Sequence, residues 1–182
     1  MREAGYPNGL SLTLIAPEEL EVQATVVSKM LEQAGFGVEL QMLDATAYNR
    51  KTVLSHLEQP PEQQAWDIAL TAWPDILNFP IFQSYHFFAL DGPYDWVIEQ
   101  PELHQLYEQA LRTVDLERQQ ELLRQMERHT HDQAYFLFLY SPIPLYAVNK
   151  AVEFVPYVAN LSLAETAVTN QHWSVRQAVR QK

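Results

Sequence analysis

The sequence predicts an α/β fold: a mainly parallel sheet flanked by helices, followed by an extended C-terminal tail. Two observations predict it. Residues 10 to 42 read strand, helix, strand, with a connection long enough to cross over, which makes the two strands parallel. Residues Asp67 to Trp73 (DIALTAW) form a nearly continuous apolar run, the pattern of a parallel strand covered on both faces.

The elements follow in order. Leu10 to Ile15 alternates, with Leu10, Leu12 and Leu14 on one face. Pro17, Glu18 and Glu19 suit a helix start, and the stripe Leu20, Ala24, Val27, Met30, Leu31 and Ala34 repeats near 3.6 before Gly35 stops it. Phe36, Val38, Leu40 and Met42 alternate as a second strand. Asp44 or Thr46 caps a second helix to about Leu57, burying Tyr48, Val53, Leu54 and Leu57. Glu58 to Gln64 is a proline-broken loop, and the DIALTAW strand comes next. Pro74 to Gln100 is rich in Pro, aromatics and Asp without a steady period, so it reads as a long irregular segment with one short helix. Two helices follow. Pro101 to about Thr113 carries Leu103, Leu106, Ala110 and Leu111 on its stripe; Asp115 to about His131 carries Leu116, Leu122, Leu123 and Met126. Tyr135 to Tyr140 (YFLFLY) reads as a buried strand, interrupted by Pro142 and Pro144 and resumed at Leu145 to Val148. From Val152 the tail reads as short extended pieces with a basic end.

Composition bounds the function. The 182 residues suit one large domain or one domain with an extra element. The balance of 47% hydrophobic to 19% charged residues is globular, and no apolar run nears the roughly 20 residues of a membrane helix. The opening MREAGYPNGL lacks the apolar core of a signal peptide. A net charge of −11 repels phosphate backbones and anionic lipid, which disfavours nucleic acid as a partner. With no cysteine, disulfides, thiolate metal sites and cysteine catalysis are excluded.

The five glycines make no phosphate-binding array, and no GxSxG elbow exists. His129 and His131 lie at a helix end, where a spacing of two puts them on different faces; His56, His86, His104 and His172 have no metal-site partner at a recognisable spacing. No metal or cofactor is therefore expected. The positive signal is placement. Open parallel sheets bind ligands beyond the carboxyl ends of their strands. Those ends carry Ala16–Pro17, Asp44 and Trp73–Pro74–Asp75, and the last leads into Tyr85, His86, Phe87, Asp91, Tyr94, Asp95 and Trp96. Aromatic faces with a few carboxylates suit an uncharged or cationic organic ligand. Trp73, Asp75, Tyr85, Tyr94 and Trp96 are the candidate ligand-binding residues, with Asp75 the carboxylate.

Arg2 to Leu14, Lys29 to Leu43, Trp66 to Trp73, Asn78 to Trp96 and Pro101 to Leu145 together resemble the C-terminal lobe of the extracellular solute-binding proteins, family 5. The features that carry the resemblance are AGYPNG, a helix ending in QAG before a V-E-L strand, the D-x-x-L-x-x-W strand and the P-E-L-x-x-L helix, in that order. Tyr94–Asp95–Trp96 stands where the family often has N-Y-x-G-Y. These proteins are substrate receptors of ABC importers for peptides and nickel.

The resemblance implies a periplasmic-binding-protein-like type II fold whose two lobes close on ligand. It implies that residues 1–150 are the C-terminal substrate-binding lobe and that 151–182 pack on the hinge or on an N-terminal lobe lying upstream with an export signal. Asp75 matches the acidic residue that pairs a peptide's α-ammonium, although W-P-D-I replaces a longer, Gly-containing loop. Expected partners are a peptide or other small solute, the N-terminal lobe and the transporter's membrane subunits, in the periplasm or outside the cell. An isolated lobe should expose apolar residues such as Phe154, Val155, Tyr157 and Trp173 and self-associate. A ligand-sensing domain of a transcriptional or signalling regulator is the alternative. An enzyme is disfavoured, because no nucleophile–base or metal set is visible.

Overall fold

The computed structural model describes residues 3 to 180 apart from 4, 54, 56–57, 61–62, 74–79, 90–91, 97–100, 144 and 158–161. The chain divides into two units, Met1–Trp73 with Pro80–Leu137, and Pro74–Phe79 with Phe138–Lys182.

The first unit opens with strand β1 (Leu10–Pro17), a single 3-10 turn (Glu18–Leu20), helix α1 (Glu21–Gln33) and strand β2 (Phe36–Leu43). The two strands are parallel over their whole length, from Leu10 opposite Phe36 to Pro17 opposite Leu43. Gly35 turns the chain between α1 and β2 at φ +98°, a left-handed conformation that glycine adopts without strain. Helix α2 (Ala45–Thr52) returns to strand β3 (Ile68–Ala69), which pairs parallel to β1 on its other edge, giving the order β2-β1-β3.

β1 is thus central, and its Leu14, Ile15 and Ala16 are fully buried. One face of the sheet forms a core with α1: Leu14, Ala16, Leu70 and Ala24, flanked by Leu20, Val27, Val38, Leu40, Met42 and Ile68. This is the parallel α/β arrangement that the alternation predicts. Within the α1 stripe, Met30 is exposed rather than buried.

The DIALTAW strand is shorter than its apolar pattern suggests. Only Ile68 and Ala69 form ladder, although Asp67 lengthens the pairing: its carboxylate accepts from Thr13 N–H at 2.7 Å while its own N–H donates to the Thr13 carbonyl at 3.0 Å. Thr71 and Ala72 are already exposed, and Pro74 has no N–H to offer a ladder. The second helix ends at Thr52, and Leu54 and Leu57 lie outside the described residues. Its cap is Asp44, whose Oδ1 accepts from Ala47 N–H at 2.9 Å.

A second core in the same unit is purely helical. It joins α3 (Pro80–Phe88), α4 (Pro101–Arg112) and α5 (Leu116–Asp132) through Ile81, Ala89, Leu103, Tyr107, Ala110, Leu122, Leu123 and Met126. Both long helices fall where the 3.6 period places them, and Asp115 caps α5 by accepting from Arg118 N–H at 2.7 Å. Leu111 and Leu116, read as stripe residues, are exposed; Tyr107 takes a buried place instead.

The largest correction concerns Tyr135 to Tyr140. It is not a strand: the segment is irregular, Tyr135 and Phe136 are partly buried, and Leu137, Phe138, Leu139 and Tyr140 are exposed. Leu145 to Val148 forms no strand either, and Leu145, Tyr146 and Val148 are exposed. Strand propensity reports fit to a pleated surface with neighbours. Neither segment has a ladder partner among the described residues.

The second unit contains a two-residue antiparallel pair, β4 (Val152–Glu153) and β5 (Ala167–Val168), and helix α6 (Trp173–Arg180). The helix replaces an expected extended end. Val155 and Trp173 are exposed as anticipated; Phe154 and Tyr157 are only partly so, with the Phe154 ring 5.0 Å from that of Tyr146.

Candidate functional site

The carboxyl ends of the parallel strands carry the site, and one buried tyrosine organises them. Tyr48 sits in α2, four residues beyond the Asp44 cap, which turns it onto the sheet end. Its hydroxyl donates to the Leu70 carbonyl at 2.9 Å, where β3 leaves the sheet. Burial pushes Tyr48 up from 10.0 to about 12; a hydrogen bond with Thr71 works against this, while Tyr94 and Glu19 add to it. Thr71, just after β3, thus shares this phenol with the Leu70 carbonyl.

Trp73 follows two residues after Thr71 and anchors an aromatic cluster. Its ring lies 5.0 Å from His86, 5.2 Å from Phe87 and 5.2 Å from Tyr94, the last two edge-on. Phe87 and Tyr94 are 5.5 Å apart. Edge-to-face geometry adds about 0.5–1.5 kcal/mol per pair beyond area, so the rings hold one another in place. All four side chains remain half-buried. Burial raises the Tyr94 hydroxyl as well, and like any phenol it is a neutral donor at physiological pH.

The five sequence candidates separate here. Trp73 and Tyr94 meet at the sheet end. Tyr85 packs against the helical core and lies 5.4 Å from the His86 ring. Trp96 lies against Trp66, 4.9 Å away and edge-on. Asp75 lies outside the described residues. Asp44, at the end of β2, caps α2. His86 and Phe87, part of the aromatic run but not among the five, belong to the cluster. Sequence reasoning missed Tyr48 and Thr71 as site residues. Tyr48 left a faint signal, an aromatic one turn past a cap at a strand end, which reads equally well as ordinary core.

The arrangement offers flat apolar faces and neutral hydroxyls to a ligand. Among the described residues, no group of three His, Asp or Glu side chains gathers to hold a metal ion, and no helix is long and apolar enough to cross a membrane. His129 lies 3.8 Å from Glu102, and His131 sits on the surface beside Asp132.

Tyr48→Phe is expected to cost about 1 kcal/mol, the net value of a typical hydrogen bond. A pH dependence follows. The folded state holds Tyr48 neutral, with its pKa raised from 10.0 to about 12. The stability this contributes is complete below pH 10 and is lost as pH rises through 12. The advantage of the native chain over the variant in urea unfolding should therefore hold up to pH 10.0 and shrink as pH rises toward about 12; a constant difference would contradict the burial of that hydroxyl.

No family model matches the chain, and no curated protein matches it. Solved structures do. The oligopeptide-binding protein AppA of Bacillus subtilis, solved with a nonapeptide, is similar at 20% identity and a TM-score of 0.60, over 87% of this chain and 32% of that one. The ABC-transporter-associated periplasmic binding protein DppA of Helicobacter pylori, solved with the peptide STSA, is similar at 19% identity and 0.57, over 73% and 26%. A nickel ABC transporter structure from Bacillus halodurans is similar at 17% identity and 0.53, over 68% and 25%. The chain thus has the fold of part of these transporter-associated binding proteins. It spans about a quarter to a third of the length of the structures it matches.

Proposed function

We propose that this chain is the ligand-facing lobe of a solute-binding protein of an ABC importer, capturing a peptide-like or other small solute against a second lobe, without catalysis. The observation that carries this is the half-buried Trp73–His86–Phe87–Tyr94 cluster at the carboxyl ends of parallel strands, in a fold shared with proteins solved around peptides. Ring faces take up the apolar side chains of a peptide at low entropic cost, and the Tyr94 hydroxyl donates to its carbonyls. Asp75, two residues past Trp73, supplies the carboxylate for an α-ammonium. In this reading the lobe spans residues 1–150, the tail 151–182 packs on the hinge or the N-terminal lobe, and the protein works in the periplasm with the importer's membrane subunits.

The test is a thermal-shift screen of the protein at its full natural length against di- to pentapeptides, nickel–histidine chelates and sugars. A peptide at a hundredfold excess over its Kd should stabilise by about 2.7 kcal/mol. Asp75→Ala should abolish the shift for peptides with a free amino terminus and spare those with an acetylated one. Stabilisation by sugars or chelates alone would displace the peptide reading, and an unchanged shift in Asp75→Ala would remove that residue from the site.

A further inference from the structure

The loop that brings Tyr94 to Trp73 is gripped from a second side, by a largely buried Asp95–His104 contact that the aromatic cluster does not require. Residues 92–96 fold back on the end of α3. Gly92 N–H donates to the Ala89 carbonyl at 2.9 Å, and Tyr94 N–H to the His86 carbonyl at 2.8 Å. The approach is so close that a Cβ at Gly92 would collide with the Tyr85 carbonyl oxygen and stand 2.9 and 3.0 Å from those of His86 and Ala89. From this clamp, three consecutive side chains reach three places: Tyr94 the cluster at Trp73, Asp95 helix α4, and Trp96 the Trp66 ring ahead of β3.

The Asp95 contact is the unusual one. Its Oδ2 lies 3.6 Å from His104 Nε2, with the two side chains only 10% and 17% exposed. Such a distance is longer than a hydrogen bond, and the contact is an ion pair when the imidazole is protonated. Withdrawing a carboxylate from water to this degree costs several kcal/mol unless a partner compensates. A loop built only to cover the core would place an apolar residue there. His104 stands beside Leu103, which is fully buried, on the helix that also buries Tyr107 and Ala110. The pair therefore ties the loop to a firmly packed helix.

We propose that Asp95 and His104 are positioning residues for the Trp73–Tyr94 site, holding the 92–96 loop against α4 so that the Tyr94 ring is already set at Trp73 when ligand arrives. This rests on the reading of that cluster as the ligand rim. Setting a ring in advance removes the ordering cost that binding otherwise pays.

The experiment needs no ligand, so its failure is separate from a failure of that reading. Trp73 is followed by near-UV circular dichroism and acrylamide quenching, each taken as the difference from Trp73→Phe. In His104→Leu the Trp73–Tyr94 dichroism should be lost and quenching should rise, as in Tyr94→Leu, with far-UV dichroism kept and Tm lowered, because the Asp95 carboxylate is left buried without its partner. His104→Gln, which retains an N–H toward Asp95, should restore both signals. Asp95→Asn, close in shape, provides the same comparison if His104→Leu does not fold. Combining Asp95→Asn with His104→Leu should add nothing beyond either alone. Unchanged Trp73 signals in folded His104→Leu and Asp95→Asn, a loss of far-UV dichroism in both, or failure of His104→Gln to restore the Trp73 signals would overturn the proposal.

Discussion

Leu103→Ala is expected to destabilise the chain by about 2–5 kcal/mol, the range for emptying a fully buried leucine site. Leu103 is 0% exposed and belongs to the helical core of Ile81, Tyr107, Ala110, Leu122 and Met126. Three helices converge there, so no single side chain can swing into the void. Whole domains hold only about 5–15 kcal/mol, so the loss takes a large share of the total. Leu111, on the same helix but 55% exposed, is the control: Leu111→Ala should stay within about 0.5 kcal/mol. Urea unfolding followed by far-UV dichroism checks both, with the midpoint of Leu103→Ala falling and its slope unchanged. Equal effects at the two positions would show that the buried face of α4 has been misassigned. The outcome also bears on the site, because His104 depends on its neighbour to hold α4 in place.

The contrast between those two leucines shows what the sequence reveals and what it withholds. Leu103, Leu106, Ala110 and Leu111 share one stripe, and periodicity alone cannot find its edge. The same limit applies to Met30 on α1 and Leu116 on α5, both exposed. Elements governed by local rules were legible. The β1–α1–β2 unit follows from alternation, a 3.6 period and the Gly35 stop, and Asp44 and Asp115 cap the helices they precede. Tyr135 to Tyr140 failed because its pattern describes a strand in need of neighbours, which is a property of other chain segments. At the site, the rule that ligands gather at strand ends led to Trp73, and composition led to Tyr94. That the two meet, with His86 and Phe87 between them, depends on how α3 and its loop return to the sheet, which no local pattern encodes. Tyr48 was hidden for the same reason: its role lies in a bond to Leu70, 22 residues away.

The segment that failed as a strand leads to the other large effect: the 182-residue chain should self-associate through it. No Asp, Glu, Lys or Arg falls between Asp132 and Lys150. Within that run Leu137, Phe138, Leu139 and Tyr140 are 75%, 70%, 45% and 63% exposed. Successive side chains of an extended chain point to opposite sides, so a single covering surface would leave half of them wet. Fully burying such side chains gains about 1.5–3 kcal/mol each. One covering surface buries about two of the four, and with Ile143, Leu145 and Tyr146, also exposed, the gain reaches the roughly 4–15 kcal/mol that association costs. The net charge of −11 on every copy opposes contact, and salt screens that repulsion. Sedimentation velocity should therefore show species heavier than the monomer that grow with ionic strength, together with binding of an apolar-surface dye. Phe138→Lys combined with Leu145→Lys should return the chain to monomer without altering its far-UV dichroism, because neither side chain contributes to a buried core. In the two-lobe reading a second lobe covers this segment, so the protein at full natural length should stay monomeric and leave the dye unbound. A 182-residue chain that is monomeric and dye-free at every salt concentration would mean the segment is already covered, and the two-lobe reading would lose its physical support.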